Sequence, residues 1–169
     1  SNAAMAGVLK ELKNAKRPVL VAGHGIRISK AKNEFLKLIK RLNVPVVTTF
    51  NGFDLIPSAD ENFVGRIGTL GSRSGNFALQ NADLVIFLGT RNNIRQVSYN
   101  WESFARHAKK IIVDIDKSEL HKKTVKGDVL IHSDAKVFIE GLLRHISDDF
   151  KGCDKVWLEW CMERKKKYP

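Results

Sequence analysis

The stretches Ala82-Asp83-Leu84-Val85-Ile86-Phe87-Leu88-Gly89-Thr90-Arg91 and Lys110-Ile111-Ile112-Val113-Asp114-Ile115-Asp116 decide the fold. Each holds a short unbroken apolar run with β-branched residues and ends in polar ones. Such a run reads as a strand buried on both faces. Buried strands separated by helical segments make a parallel sheet covered by helices on both sides. Ligands of such sheets bind at the carboxyl ends of the strands. Those ends here carry Gly89, Thr90, Arg91, Asp114 and Asp116, a rim suited to anions and hydroxyls.

Working outward, residues 19–22 predict a first buried strand that ends in the tight turn Gly23-His24-Gly25. Residues 45–49 predict a second, turned out by Phe50-Asn51-Gly52, and residues 128–131 a last short one. Helical spacing puts Met5, Val8, Leu9 and Leu12 on one face of a helix over 5–16. Ser29 is the expected cap of the next helix, with Phe35, Leu36, Ile39 and Leu42 as its buried stripe. A short helix over 74–81 carries Phe77 and Leu79, and part of the 91–108 connection is expected to be helical. Ser133 or Asp134 caps a helix that buries Val137, Phe138, Leu142 and Ile146. Residues 154–166 form a further helix with Val156, Trp157, Trp160 and Cys161 as its apolar positions. Residues 54–73, with Pro57, Gly65, Gly68 and Gly71, read as a long functional or contact-forming loop, and 117–127 as a polar one. The whole predicts a Rossmann-like three-layer α/β domain with a mostly parallel sheet of five or six strands.

A chain of 169 residues suffices for one domain with a full core. Its net charge of +11 is spread along the sequence, with Arg164-Lys165-Lys166-Lys167 as the densest run. Without aromatic–basic interleaving or a helix-turn-helix pattern, solvated helix faces account for that charge better than nucleic acid does. No apolar run approaches the ~20 residues of a membrane helix. Cys153 and Cys161 lie about two helical turns apart, too far for a disulfide, so a reducing, cytoplasmic setting is expected. The five histidines make no metal-ligand spacing with them. Ser1-Asn2-Ala3 reads as a scar of tag removal, and the end of the chain in a basic run suggests a piece of a longer protein.

Several residues carry two readings. The glycines of Gly23-His24-Gly25 allow close approach to a phosphate, and simple turn geometry explains them equally well. Arg91 suits a bidentate phosphate or carboxylate contact, or a salt bridge to Asp114. Asp114 suits a ribose hydroxyl, whereas Asp116 is better placed to cap the following turn through Ser118. His24 is an acid or base, or merely hydrogen-bonds a neighbour. No nucleophile elbow, H-E-x-x-H or Walker loop is present, so no catalytic residue and no metal ligand is assigned. That favours a binding or structural domain.

Taken together, Arg17-Pro18-Val19-Leu20-Val21-Ala22-Gly23-His24-Gly25, Val44-Pro45-Val46-Val47-Thr48-Thr49, Val64-Gly65-Arg66-Ile67-Gly68, Ala82-Asp83-Leu84-Val85, Leu88-Gly89-Thr90-Arg91 and Val113-Asp114-Ile115-Asp116 resemble the central domain of thiamine-diphosphate-dependent enzymes, in particular the acetolactate synthase family. The resemblance covers residues 5–146. It implies a central domain over 4–147 and, over 148–169, a helical linker toward a C-terminal catalytic domain. It further implies that thiamine diphosphate and magnesium are held by the N- and C-terminal domains of a homo-oligomeric parent. That parent would act on a 2-oxo acid such as pyruvate, and this chain alone would be inactive. In the family this domain binds FAD, or an adenine nucleotide such as ADP, or nothing. Carried over by position, the contacts would be Gly23, Gly25, Thr49, Phe50, Ile67, Gly68, Gly89, Thr90, Arg91, Asp114, Ile115 and Asp134. His24 stands at the middle glycine of the family's turn, and Asn92-Asn93 where it carries an acidic residue. Two other classes remain as alternatives. A self-standing NAD-binding enzyme would need its own catalytic histidine in a closed pocket and a second lobe. A basic nucleic-acid module would lose binding steeply with salt.

Overall fold

The computed structural model describes residues 2–168. Strands β1 (Pro18–Ala22), β2 (Val46–Thr48), β3 (Phe63–Arg66), β4 (Leu84–Leu88), β5 (Lys109–Asp114) and β6 (Val129–His132) form one sheet in the order β3-β2-β1-β4-β5-β6. Every neighbouring pair is parallel. The helices are α1 (Asn2–Asn14), α2 (Gly25–Ile28), α3 (Lys32–Leu42), α4 (Arg73–Asn81), α5 (Ile94–Val97), α6 (Lys117–Leu120), α7 (Ala135–His145) and α8 (Lys155–Lys167).

Alternation along each strand explains why the apolar runs are unbroken. Leu84, Ile86 and Leu88 enter the core that α1, α3 and α7 cover, and Val85 and Phe87 enter the one beneath α4 and α8. Leu20 and Ala22 divide from Val19 and Val21 in the same way, as do Ile111 and Val113 from Ile112. Burying a side chain of this size contributes about 1.5–3 kcal/mol. The central strands β1 and β4 therefore have no wet face on which a polar residue could sit, whereas the edge strand β6 leaves Leu130 and His132 exposed.

The helices follow their stripes with some corrections. Met5, Val8, Leu9 and Leu12 of α1 are buried, and α1 packs on α7 where Gly141 leaves room for Met5. In α3 the buried set is Phe35, Leu38, Ile39 and Leu42, with Leu36 only half-buried. Ser29 does not cap α3. It ends α2, donates its hydroxyl to the Ile26 carbonyl at 3.0 Å, and leaves Ala31 at the α3 N-terminus without a side-chain cap. Asp134 does cap α7, accepting from the N–H groups of Lys136 and Val137 at 2.8 and 3.2 Å. Val137 faces solvent at 61% exposure, and Ile139 takes the inward place instead.

The stretch 54–73 is not wholly loop. It contains β3, an edge strand whose pairing with β2 shifts register between Val46 and Val47. Gly65 breaks the apolar pattern of β3 with φ +152, where any Cβ would strike the Ser72 hydroxyl. Ser74 donates to the Val64 carbonyl at 2.9 Å, and the Ser72 N–H to the Arg66 carbonyl at 3.0 Å, so the start of α4 seals this edge. The polar stretch 117–127 likewise opens with a turn of helix, α6.

Helix α8 packs on α4 and β3. Trp157 and Cys161 are buried in the second core, and Val156, on the opposite side, is 70% exposed. The Trp157 indole donates to the Pro18 carbonyl at 3.0 Å and stacks on Trp160, with ring centroids 5.1 Å apart. Burial raises both thiols, Cys153 to about 11 and Cys161 further. No helix among the described residues is long and apolar enough to cross a membrane.

If α8 is integral to the domain, Trp157→Ala removes a buried ring and orphans a carbonyl, and costs about 3–5 kcal/mol. Urea denaturation measures this. A change below about 1 kcal/mol would show that α8 merely rests on the surface.

Candidate functional site

The chain runs β1 to β3 outward in one direction and β4 to β6 in the other, so the connections part between β1 and β4. In doubly wound sheets ligands bind at that parting. A cleft of about 880 Å³ opens there along the carboxyl ends of the strands. Gly25, Thr49, Phe50, Ile67 and Gly89 line it, as do Thr90, Arg91, Asp114, Ile115 and Asp134. The fold thus brings ten of the twelve sequence candidates to one wall or another.

Gly23 and Gly68 lie outside the lining, for different reasons. A Cβ on Gly23 would stand 2.1 Å from the Gly89 carbonyl oxygen. Gly25 closes on the same residue, its Cβ position 2.8 Å from the Gly89 Cα, and Gly89 itself sits at φ +60. The N–H groups of Gly23 and Gly25 are donated to the carbonyls of Leu88 and Gly89 at 2.9 and 3.0 Å. The glycine turn therefore lets two backbones meet at the parting of the sheet, and these two N–H groups are spent on that contact. Gly68 packs on the α5 backbone at Arg95 and Gln96, and its N–H is donated to Asn76 at 3.0 Å.

The polar groups divide across the cleft. Arg66 and Arg95 line it from the β3 and α5 side, and neither forms an ion pair among the described residues. Carboxylates gather on the β5 and β6 side. The buried Asp114 uses Oδ1 to accept the Asp116 N–H at 3.0 Å, and among the described residues Oδ2 has no partner. Asp116 caps α6 by accepting the N–H of Ser118 at 2.9 Å and its hydroxyl, and these bonds hold its carboxyl below the usual range. Asp134 spends Oδ1 on the cap of α7.

Arg91 does not pair with Asp114. Its Nε donates to Glu119 Oε1 at 3.0 Å. Thr90 is nearly buried, and its hydroxyl is donated to Asn92, which also accepts from Gln96 at 2.9 Å. His24 lines the cleft and has Nδ1 3.0 Å from the Asn51 carbonyl, the neighbour contact. Ile28, Phe50, Leu70 and Ile115 line the cleft and leave much of their apolar surface exposed. No cluster of metal-ligating side chains occurs among the described residues.

Sequence reading missed Arg66, Arg95 and Glu119 as lining residues. Arg66 ends an edge strand hidden by its glycine, and Arg95 and Glu119 belong to four-residue helices without a hydrophobic stripe. The D-x-x-E spacing of Asp116 and Glu119 was the one available signal, because it marks a helix start.

A parallel sheet in this order, with a cleft where its connections part, belongs to the doubly wound, Rossmann-like class. Residues 5–142 match the family described as thiamine pyrophosphate enzyme, central domain, and the chain belongs to that family. It is 36% identical over 138 residues to the probable acetolactate synthase large subunit of Methanococcus aeolicus, covering 82% of this chain and 23% of that protein. It is also 36% identical over 164 residues to the acetolactate synthase large subunit of Lactococcus lactis subsp. lactis (strain IL1403), covering 96% of this chain and 28% of that one. With acetolactate synthase 2, chloroplastic, of Nicotiana tabacum the identity is 30% over 166 residues, 96% of this chain and 24% of the relative. The chain spans about a quarter of the length of the curated relatives it matches.

Because Gly23 has no room for a side chain, Gly23→Ala must part β1 from β4. Overpacking of this kind costs about 1–3 kcal/mol. A thermal midpoint within a degree of wild type would show that the glycine contact is not needed.

Proposed function

We propose that this chain is the nucleotide-binding central domain of a longer thiamine-diphosphate-dependent enzyme of the acetolactate synthase type. The parent would condense a 2-oxo acid such as pyruvate, work in the cytoplasm as a homo-oligomer, and hold thiamine diphosphate and magnesium in its N- and C-terminal domains. The ligand of this domain would be FAD or ADP. The observation that carries this reading is the division of the cleft, with arginines on one side and the free oxygen of Asp114 on the other.

The donor set suits an adenine nucleotide. Asp114 Oδ2 is an acceptor fixed at a strand end, where a ribose hydroxyl is commonly held. Arg66, Arg91 and Arg95 offer forked donors to a diphosphate. The glycine turn cannot serve the phosphate through the Gly23 and Gly25 amides, so side chains would carry that charge. Ile28, Phe50, Leu70 and Ile115 give apolar cover for ring faces. Bound FAD would supply its flavin ring, mainly in a non-redox role as the resemblance implies, while this chain binds and orients its adenine half. Residues 1–3 are read as a tag scar, and α8 leads toward the following domain.

Calorimetric titration of the chain with FAD and with ADP tests the ligand. Binding is expected, weakened about tenfold by Asp114→Asn and by Arg91→Ala, as loss of a charge-assisted hydrogen bond requires. Absence of binding by both nucleotides at millimolar concentration overturns the reading.

The activity has its own test. With pyruvate, thiamine diphosphate and magnesium, the chain alone is expected to form neither acetolactate nor carbon dioxide. Measurable product would place catalytic groups within these residues.

A further inference from the structure

The start of α6 departs from the usual behaviour of its own sequence pattern. Asp116 is the N-cap and Glu119 stands three residues on. In a capping box that glutamate turns back to accept the N–H of the cap residue. Here the Asp116 N–H is already donated to Asp114 Oδ1 at 3.0 Å. Glu119 turns toward the cleft instead. Its Oε1 accepts from Arg91 Nε at 3.0 Å, and its Oε2 from Lys122 Nζ at 2.8 Å.

The three groups are unequally free. The Arg91 side chain is 76% exposed and that of Glu119 only 15%. Lys122 also donates to the carbonyls of Arg91 and Asn92. Those two residues adopt left-handed backbone, at φ +54 and +43. Lys122 therefore fixes the loop that carries Arg91 while leaving the guanidinium at the surface. Burial works to raise the Glu119 carboxyl, but the hydrogen bonds and charges of Lys122 and Arg91 outweigh it and hold it below the usual range. Glu119 is thus an anion at neutral pH. The charge of Arg91 also reaches Asp116, a second carboxylate nearby.

We propose that Glu119 is the built-in occupant of the Arg91 anion position, displaced when a phosphate-bearing ligand enters the cleft. The proposal rests on the nucleotide reading of the cleft. An exposed arginine exchanges one anion for another easily, because such pairs are weak. Lys122 is what makes the exchange possible. It has three donors and already holds Glu119, so the carboxylate keeps a cation after Arg91 leaves. The loop stays pinned throughout, and only the Arg91 side chain moves. A ligand without phosphate offers nothing to exchange, so the Glu119 pair weakens the binding of phosphate-bearing ligands alone, and Arg91 supplies the preference for charge.

Calorimetric titration of the full chain with ADP and with adenosine tests this. Glu119→Gln is expected to tighten ADP by about two- to fivefold, the worth of an exposed ion pair, and to leave adenosine unchanged. In an Arg91→Ala background the gain disappears, which a merely structural role for Glu119 would not produce. On the wild-type chain the Arg91 Nε–H resonance shifts with ADP and not with adenosine, a measurement that needs no variant to fold. If wild type binds ADP and Glu119→Gln binds it no better, or improves adenosine equally, the proposal is overturned and the nucleotide reading stands. If neither protein binds ADP at millimolar concentration, both fall.

Discussion

The meeting of two backbones at Gly23, Gly25 and Gly89 is the constraint on which the rest of the structure depends. β1 and β4 are the central pair, and each half of the sheet is built outward from one of them. Their carboxyl ends converge until Gly25 donates to the Gly89 carbonyl. Side chains at these positions would hold the ends apart, and the cleft above them would lose its floor. The same contact spends amides that a glycine turn might have offered to a phosphate. Charge recognition in this domain is thereby shifted from backbone to arginine.

Continuous apolar runs made much of the fold legible. β4 is bounded at Leu84 and Leu88 as its sequence predicts, because burial on both faces forbids a polar residue anywhere along it. β3 was not legible. It is short, it lies at an edge, and Gly65 interrupts its apolar residues to make room for Ser72. Ser29 misled for a related reason. Its type suits a cap, but the turn of α2 intervenes and claims its hydroxyl. The cap of α7 was legible to within one residue, Ser133 or Asp134, because nothing separates Asp134 from the helix.

At the site, strand ends were easier to read than partners. Asp114 and Arg91 both fall on the rim, as residues following buried strands must. Who holds Arg91 was not readable, because Asp114 is engaged by the next residue but one and Glu119 arrives from a separate turn. Asp116 shows the opposite case. Its partner Ser118 is local, so capping could be read directly from spacing.

The hydrogen bond from Trp157 to the Pro18 carbonyl spans 139 positions of sequence. One of the two cores contains Trp157 and Cys161, so it stays open along one side until α8 has left the ribosome. The other core takes no residue of α8 and is complete once the chain has passed Cys153. During synthesis the sheet is therefore covered on one face before the other, with the side of α4 and β3 that α8 covers bare in the interval. Long-range contacts of this kind slow folding and expose apolar surface to aggregation. The tryptophan that closes the domain thus also sets how long its newest surface needs protection.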